Sequence, residues 1–334
     1  MNIMVTGGAG YIGSHAVKLL VESGHHVLAV DNLCRGHRQA VDRRADFQAI
    51  DLADTNALAE ALRSARIDCV MHFAALAYVD ESVRHPLAYY HNNTGGAVSL
   101  LRAMHGAGVK KLVFSSTCAT YGEPEQMPIT ESTPQWPISP YGWSKWCVER
   151  VLRDYARSDP AFAFVSLRYF NVAGAAADGS LGEDHDPETH LIPLLLLTAL
   201  GRREKFTIFG TDYPTPDGTC VRDYIHVEDL CDAHLVAMEA LRPGDARFYN
   251  LGIGRGYSVR EVYESAKRVT GVEIPVQYGA RRPGDPAVLF ADPGKIQQEL
   301  GWKPRYTDID DIVRTAWNWF RAHPDGYTDR SRRA

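Results

Sequence analysis

Along the first half of the chain, short apolar runs alternate with stretches in which apolar positions recur every three to four residues. The runs "NIMVT", "HVLAV", "FQAI", "DCVMHFA", "KLVFSS" and "FAFVSLRYF" have the length and β-branched or aromatic content of strands. Between them, residues 11–23, 54–65, 87–107 and 141–157 carry the helical period. Parallel neighbours need a long crossover, so this alternation predicts repeated βαβ units. The expected fold class is α/β, with a doubly wound parallel sheet of Rossmann type covered by helices on both faces.

After residue 172 the rhythm breaks into a Gly/Ala/Asp-rich loop. A helix near 190–201, strands around 206–209 and 247–251, and helices near 227–241, 258–270 and 308–322 follow. The expected organisation is a nucleotide-binding domain over 1–172 and a smaller mixed α/β substrate lobe over 173–330, with chain crossings back to the first domain. The cleft between them is the expected working site.

Composition narrows the partners. The 334 residues are 45 % hydrophobic and 23 % charged, an ordinary globular balance. Thirty-six basic against 41 acidic residues leave a net charge of −5 and no basic block suited to nucleic acid; only Arg330–Arg333 is locally basic. No apolar run reaches the ~18–20 residues of a membrane span. Cys34, Cys69, Cys118, Cys147, Cys220 and Cys231 form no CxxC pair, so neither a dense disulfide scaffold nor a zinc motif is expected. The reading is a cytoplasmic protein with reduced thiols.

The first chemical signal is "VTGGAGYIGSH", which sets Gly7, Gly10 and Gly13 between strand one and the helix opened by Tyr11 and Ile12. Glycine permits the tight turn and close approach of a phosphate, which the helix amides then bind. Asp31 ends the second strand, eighteen residues after Gly13. A carboxylate there accepts from the adenosine ribose hydroxyls and repels a 2′-phosphate, favouring NAD over NADP. Asp31 is alternatively a turn-forming aspartate before Asn32, Arg35 a solvated loop arginine, and Asp51-Leu52 either an adenine contact or a helix cap.

The second signal is "SPYGWSK", where Tyr141 and Lys145 stand one helical turn apart and share a face. A phenol with a reference pKa of about 10 needs nearby positive charge to act as a base at neutral pH. Lys145 and an oxidised nicotinamide ring would supply it, so that Tyr141 removes a hydroxyl proton as hydride leaves the same carbon. The stretch "FSSTCATYG" closes the fifth strand at the carboxyl edge of the sheet; among its hydroxyls, Thr117 is assigned the substrate hydrogen bond.

The glycine turn, "HFAA" (72–75), "YYHNN" (89–93), "FSST", the Tyr-Lys pair, "LRYFNVAG" (167–174), "VRDYIHVEDL" (221–230) and "RRPGDP" (281–286) occur in this order over nearly the whole chain. In them the chain resembles the UDP-glucose 4-epimerase family of extended short-chain dehydrogenase/reductases. The resemblance implies a tightly held NAD that is not consumed, a transient 4-keto sugar, and inversion at C4. It also implies a homodimer through the helices near 87–107 and 141–157. Carried over by position, Gly7, Gly10, Tyr11, Ile12, Gly13, Asp31, Asn32, Asp51, Leu52, Phe73, Ala74, Asn92, Ser115, Tyr141, Lys145 and Tyr169 match cofactor contacts. Phe170 matches a residue beside the nicotinamide. Thr117, Tyr141, Asn171, His190, Leu191, Phe209, Arg222, Arg282 and Asp285 match contacts to the UDP-sugar, the arginines suiting a diphosphate.

Four positions depart from the family pattern. Ala77 replaces a cofactor-contacting lysine, Thr117 a serine, His190 an asparagine and Leu289 a bulky tyrosine. They keep UDP-xylose/UDP-arabinose and UDP-N-acetylhexosamine substrates open as alternatives. A 4,6-dehydratase would carry an Asp-Glu pair after the threonine, where Cys118 and Ala119 stand. An NAD-binding sensor without chemistry would usually lack the Tyr-Lys pair. "HDPETH" gathers His185, Asp186, Glu188 and His190 in a spacing that is not a zinc pattern, and no metal is expected.

Overall fold

The apolar runs of the first half pair in parallel, register by register. A computed structural model describes residues 1–282 and 285–328; the basic stretch Arg330–Arg333 lies outside the described residues. Strands β1 (Asn2–Thr6), β2 (His26–Asp31), β3 (Asp46–Ala49), β4 (Cys69–His72), β5 (Lys111–Ser115) and β6 (Ala163–Tyr169) form most of the main sheet. Short strands β7 (Asn171–Ala173), β8 (Phe206–Phe209), β9 (Val221–Arg222) and β10 (Tyr224–His226) follow, then β11 (Ala246–Leu251), β12 (Tyr257–Ser258), β13 (Val276–Gly279) and β14 (Val288–Leu289). The main sheet runs β11-β6-β5-β4-β1-β2-β3, all parallel. Its order reverses between β1 and β4, the topological switch at which such sheets bind ligands.

Helices cover both faces because the sheet's side chains are apolar on both. In the first half these are α1 (Tyr11–Glu22), α2 (Thr55–Ser64), α3 (Val79–Arg84), α4 (Pro86–Tyr89), α5 (Gly96–Ala107) and α6 (Pro140–Ser158). In the second they are α7 (Leu191–Ala199), α8 (Val227–Ala240), α9 (Val259–Thr270), α10 (Gly294–Leu300) and α11 (Ile309–Ala322). On one face Val17 and Leu20 of α1 join Ala233 and Ala237 of α8 over Ile3 and Val5. On the other, Leu58 and Leu62 of α2 and Leu100 and Met104 of α5 pack with Val148 and Leu152 of α6. Each such buried aliphatic side chain contributes about 1.5–3 kcal/mol.

The second half is not a separate body in sequence. Strand β11 pairs with β6 from Ala246↔Phe164 to Leu251↔Tyr169 and completes the main sheet. Strand β10 pairs with β7, and α8 lies on the nucleotide-binding half. What remains is a lobe whose core joins Ile192 and Leu196 of α7, Val262 of α9, Ile312 and Trp319 of α11, and Phe206 and Ile208 of β8. The helix expected over 87–107 is wound differently: between α4 and α5, residues Tyr90–Gly95 take π-helical hydrogen bonding, a local widening that helices often carry at functional sites.

Candidate active site

The carboxyl ends of β1, β2, β4, β5 and β6 lie along one edge, because the strands are parallel. That edge therefore collects Gly7, Asp31, Phe73, Ser115 and Tyr169 from distant parts of the sequence. At the switch, the amides of Phe73 and Ala74 donate to the Thr6 carbonyl at 2.9 and 3.1 Å. Gly7 takes φ +72°, and a β-carbon on it would stand 2.6 Å from the Ala74 nitrogen. One on Gly13 would stand 2.0 Å from the Gly7 carbonyl oxygen. Glycine is a steric requirement at both places.

Helix α1 begins behind this turn with Gly10 as its N-cap and no side chain capping it. Its first amides thus face the turn without a side-chain partner, the arrangement that binds a diphosphate. Asp31 is tied to the same turn: its Oδ2 accepts from the Ala9 amide at 3.1 Å and its Oδ1 from the Leu33 amide at 2.8 Å. It is both the turn-forming aspartate and a carboxylate fixed beside the glycines. Asn32 donates to Asp51 at 2.7 Å. Asp51 accepts from the Ala53 amide, while the cap of α2 is Asp54. The Leu52 side chain is buried against the α5 side of the sheet. Arg35 is an engaged group, donating to Glu81 at 2.7 Å and lying 5.1 Å from the Tyr78 ring centre.

Helix α6 delivers the Tyr-Lys pair. Ser139 caps it by accepting from the Gly142 amide, and Pro140 takes the first helical position. A β-carbon on Gly142 would stand 2.5 Å from the Ala119 carbonyl oxygen, so the helix starts in close contact with the turn after Thr117. The Thr117 hydroxyl is close enough to the Tyr141 phenol there to act on its ionisation. Lys145 is buried and donates to the Ser115 carbonyl at 2.8 Å, and Ser115 and Tyr169 join hydroxyls.

The electrostatics of this pair differ from the sequence expectation. Burial pushes the Tyr141 phenol up to about 12, and the group pulling it down is the Thr117 hydroxyl rather than Lys145. Burial also lowers Lys145 to about 7, towards its neutral form. Among the protein's own groups, desolvation outweighs the mutual help of the pair. A cation bound beside the phenol is what would reverse this.

The residues expected on the substrate side arrive from the lobe. Strand β9 lies between β12 and β14, with Arg222 opposite Leu289. Arg222 pairs with Asp285, and the Arg282 guanidinium lies 4.3 Å from the Phe209 ring centre. Asn171 begins β7, its amide donating to the Asp223 carbonyl at 3.1 Å, and Leu191 opens α7. The Nδ1 of His190 faces two carboxylates, Glu183 at 2.7 Å and Glu188 at 3.2 Å. Asn92 is in the π-helical segment and donates to Asn93 at 2.9 Å.

Sequence reasoning missed three supports. Asn93 accepts from the Leu76 amide at 2.8 Å and donates to Ser144 at 3.0 Å, joining the loop after β4 to α6. Glu149 and Arg168 form a buried ion pair under α6. The "HNN" doublet was the available signal for Asn93; a lone Glu in an amphipathic helix gave none for Glu149. The open groove of about 610 Å³ bordered by Asp217, Arg255 and Arg260 contains none of the expected site residues.

Comparison with known proteins agrees with this geometry. Residues 3–252 match the NAD dependent epimerase/dehydratase family. A UDP-glucose 4-epimerase of Lactobacillus helveticus is 53 % identical over 331 residues, 99 % of this chain and 100 % of that protein. A crystal structure of a UDP-glucose 4-epimerase superposes with a TM-score of 0.95 at 48 % identity, covering 98 % of this chain and 99 % of the other. The UDP-glucose-4-epimerase from Stenotrophomonas maltophila, with bound NAD and formylated UDP-arabinopyranose, gives 0.94 at 41 % identity, covering 98 % and 100 %. By its glycine turn, its Tyr-Lys helix and these full-length matches, the chain belongs to the NAD dependent epimerase/dehydratase family.

Proposed function

We propose that the protein is an isomerase, a UDP-glucose 4-epimerase that inverts C4 of the sugar with NAD held in place and returned unchanged. The observation that carries this reading is the buried Lys145, one helical turn from Tyr141 and donating to the Ser115 carbonyl at 2.8 Å, on the sheet edge that also holds the glycine turn and Asp31. The fit to NAD rests on the two turn glycines that exclude a β-carbon and on the uncapped start of α1. When bound, NAD supplies a reversible two-electron acceptor at C4.

The chain's own residues move the proton and hold the partners. Tyr141 takes the proton of the 4-hydroxyl as C4 becomes a ketone, and returns it to that oxygen when the other face is reduced. Thr117 holds the same oxygen, and Lys145 and Ser115 fix the helix and strand around it. Gly7, Gly10, Tyr11, Ile12 and Gly13 bind the cofactor diphosphate, and Asp31 the adenosine ribose. Asn32, Asp51, Leu52, Phe73, Ala74, Asn92 and Tyr169 surround the rest. Arg222 and Arg282 take the diphosphate of the substrate and Phe209 its uracil, with Asn171, His190, Leu191 and Asp285 completing the wall.

The protein is cytoplasmic and homodimeric in this reading. Its cysteines are free thiols, which fits a reducing compartment. Exposed Val83, Leu87 and Val98 on α3–α5 support pairing of two copies along that side.

Purified protein without added cofactor, offered UDP-glucose, UDP-galactose, their N-acetyl forms, UDP-xylose and UDP-arabinose, tests the proposal by chromatographic separation of the 4-epimers. Interconversion of the glucose and galactose forms is expected. No conversion even with NAD supplied overturns it, and conversion of the pentose pair alone replaces the substrate.

A further inference from the structure

The loop between β7 and α7 gathers four metal-ligating side chains, of which only His190 has a place in the proposed function, at the substrate wall. Glu183, His185, Glu188 and His190 each present one donor atom, and these atoms all lie within 4.8 Å of one another. We propose that these four residues bind one divalent cation of the zinc class, closing a structural site that fixes the loop against the cofactor end of the sheet.

The distances carry the proposal. The Nδ1 of His185 stands 3.0 Å from Glu183 and 3.7 Å from Glu188; the Nδ1 of His190 stands 2.7 Å and 3.2 Å from the same two carboxylates. Each imidazole nitrogen thus faces both carboxylates. A tetrahedral ion with ligand bonds of about 2.0–2.1 Å separates neighbouring donors by about 3.4 Å, and the four measured separations bracket that value. The buried Nδ1 of His190 makes no hydrogen bond of acceptable geometry to either carboxylate, despite these short approaches. A single N–H points at one acceptor, whereas a shared cation satisfies all four donors together.

The donor set selects the ion. Two imidazoles with two carboxylates suit zinc, whereas calcium and magnesium take oxygen ligands. Four protein ligands leave no open position, which is the pattern of a structural rather than a catalytic centre. The Glu183 and Glu188 side chains are 4 % and 9 % exposed, so the carboxylates are largely removed from water. Asp186, grouped with these residues by the sequence, is outside the cluster; its carbonyl accepts from Arg35 at 3.1 Å. Glu183, which the sequence reading left out, takes its place.

The location gives the ion a role. The Tyr11 ring meets His185 edge-on at 6.3 Å, and Tyr78 packs on His185 and His190 at 6.0 and 6.4 Å. Below, Gly182 lies against the Trp319 ring so closely that a β-carbon would stand 2.2 Å from it. With Nδ1 bound to metal, His190 keeps its proton on Nε2, which fixes one tautomer and leaves a donor on the ring's far edge.

The test uses tag-free full-length protein purified without chelators. Elemental analysis is expected to find about one zinc per chain, the content of one closed four-ligand site. H185Q and E183Q are expected to lose occupancy by at least roughly tenfold, since even partners of the ligands cost 10- to 100-fold. Chelator treatment should lower the melting temperature of the wild type, zinc should restore it, and zinc should not do so for H185Q. If the variants fail to fold, cobalt added to the chelated wild type decides instead, through the intense visible bands of a tetrahedral ion. A folded wild type that holds no metal, gains no thermal stability from zinc and shows no such cobalt spectrum overturns the proposal.

Discussion

Glu149 on α6 and Arg168 on β6 meet inside the protein as a two-pronged ion pair, Nε donating to one carboxylate oxygen at 2.8 Å and Nη2 to the other at 2.6 Å. The hydroxyls of Ser116 and Ser166 donate to the same carboxylate at 2.7 and 2.9 Å. Both side chains are at most 2 % exposed. The pair therefore holds the Tyr141 helix to the sheet two turns beyond the Tyr141 phenol. A buried ion pair of this kind is satisfied rather than strongly stabilising, and its cost appears when one partner is removed.

Replacing Glu149 with leucine strands the guanidinium and is expected to destabilise the protein by about 3–5 kcal/mol, whereas E149L/R168M should recover most of the loss. Urea unfolding of the two variants checks this; a single variant as stable as the double would contradict it. Burial raises the Glu149 carboxyl, but Arg168 outweighs it and holds the group below its usual range. Its share of stability is present above about pH 4.3 and is lost as pH falls through the depressed folded value. The double variant should lack that part of the acid dependence.

Lys145 gives the opposite sign. Burial lowers it to about 7, while the unfolded chain keeps that proton to about 10.4. Between these values the unfolded state binds more protons, so the stability of cofactor-free protein rises with pH across that window. Lys145→Met should flatten the rise in melting temperature between pH 7 and 10.

Tyr141→Phe removes the transferable proton and little volume. Turnover is expected to fall by about 10²–10⁴-fold or more, while NAD released on denaturation stays at the wild-type amount. Thr117→Ser, which keeps the hydroxyl, should retain most activity and Thr117→Val should not. Unchanged turnover in Tyr141→Phe would end the proton-transfer assignment.

Gly13→Ala tests the cofactor turn without touching the reacting groups. Its β-carbon would stand 2.0 Å from the Gly7 oxygen, a backbone atom that cannot turn aside. The expected result is a folded protein with NAD content reduced at least roughly tenfold, since the turn must open to accept the methyl group. Wild-type NAD content would show that the diphosphate is held elsewhere.

Arg222 pairs with Asp285. Arg222→Leu is expected to raise KM about 10- to 100-fold, the range for losing hydrogen bonds to a charged group. kcat should change less, because the diphosphate is distant from the bonds that change. Initial rates against UDP-sugar concentration separate the two effects.

The parts legible in the sequence were those set by local spacing. Apolar runs gave β1 to β6, and the glycine turn and the Tyr-Lys step lie within single short segments. Strands of two or three residues, such as Val221–Arg222 and Tyr257–Ser258, are too short for periodicity to register. The segment Ala246–Leu251 reads as a strand, but its place beside β6 depends on pairing across 80 residues or so, which local pattern does not encode. The same holds for charge. Arg168 in "SLRYF" resembles any strand arginine until Glu149 is found facing it, and Glu183 joins His190 only once the loop has turned back on itself.

The pairing of β11 with β6 also sets the order of events during synthesis. A nascent chain that has just extended past Ala173 carries the glycine turn, Asp31 and the Tyr-Lys helix, yet it lacks the outer strand of the sheet and helix α8 over Val165 and Leu167. That apolar face stays open until residues beyond Leu251 have left the ribosome. A message truncated after the Tyr-Lys helix is therefore expected to yield an aggregation-prone fragment rather than half an enzyme.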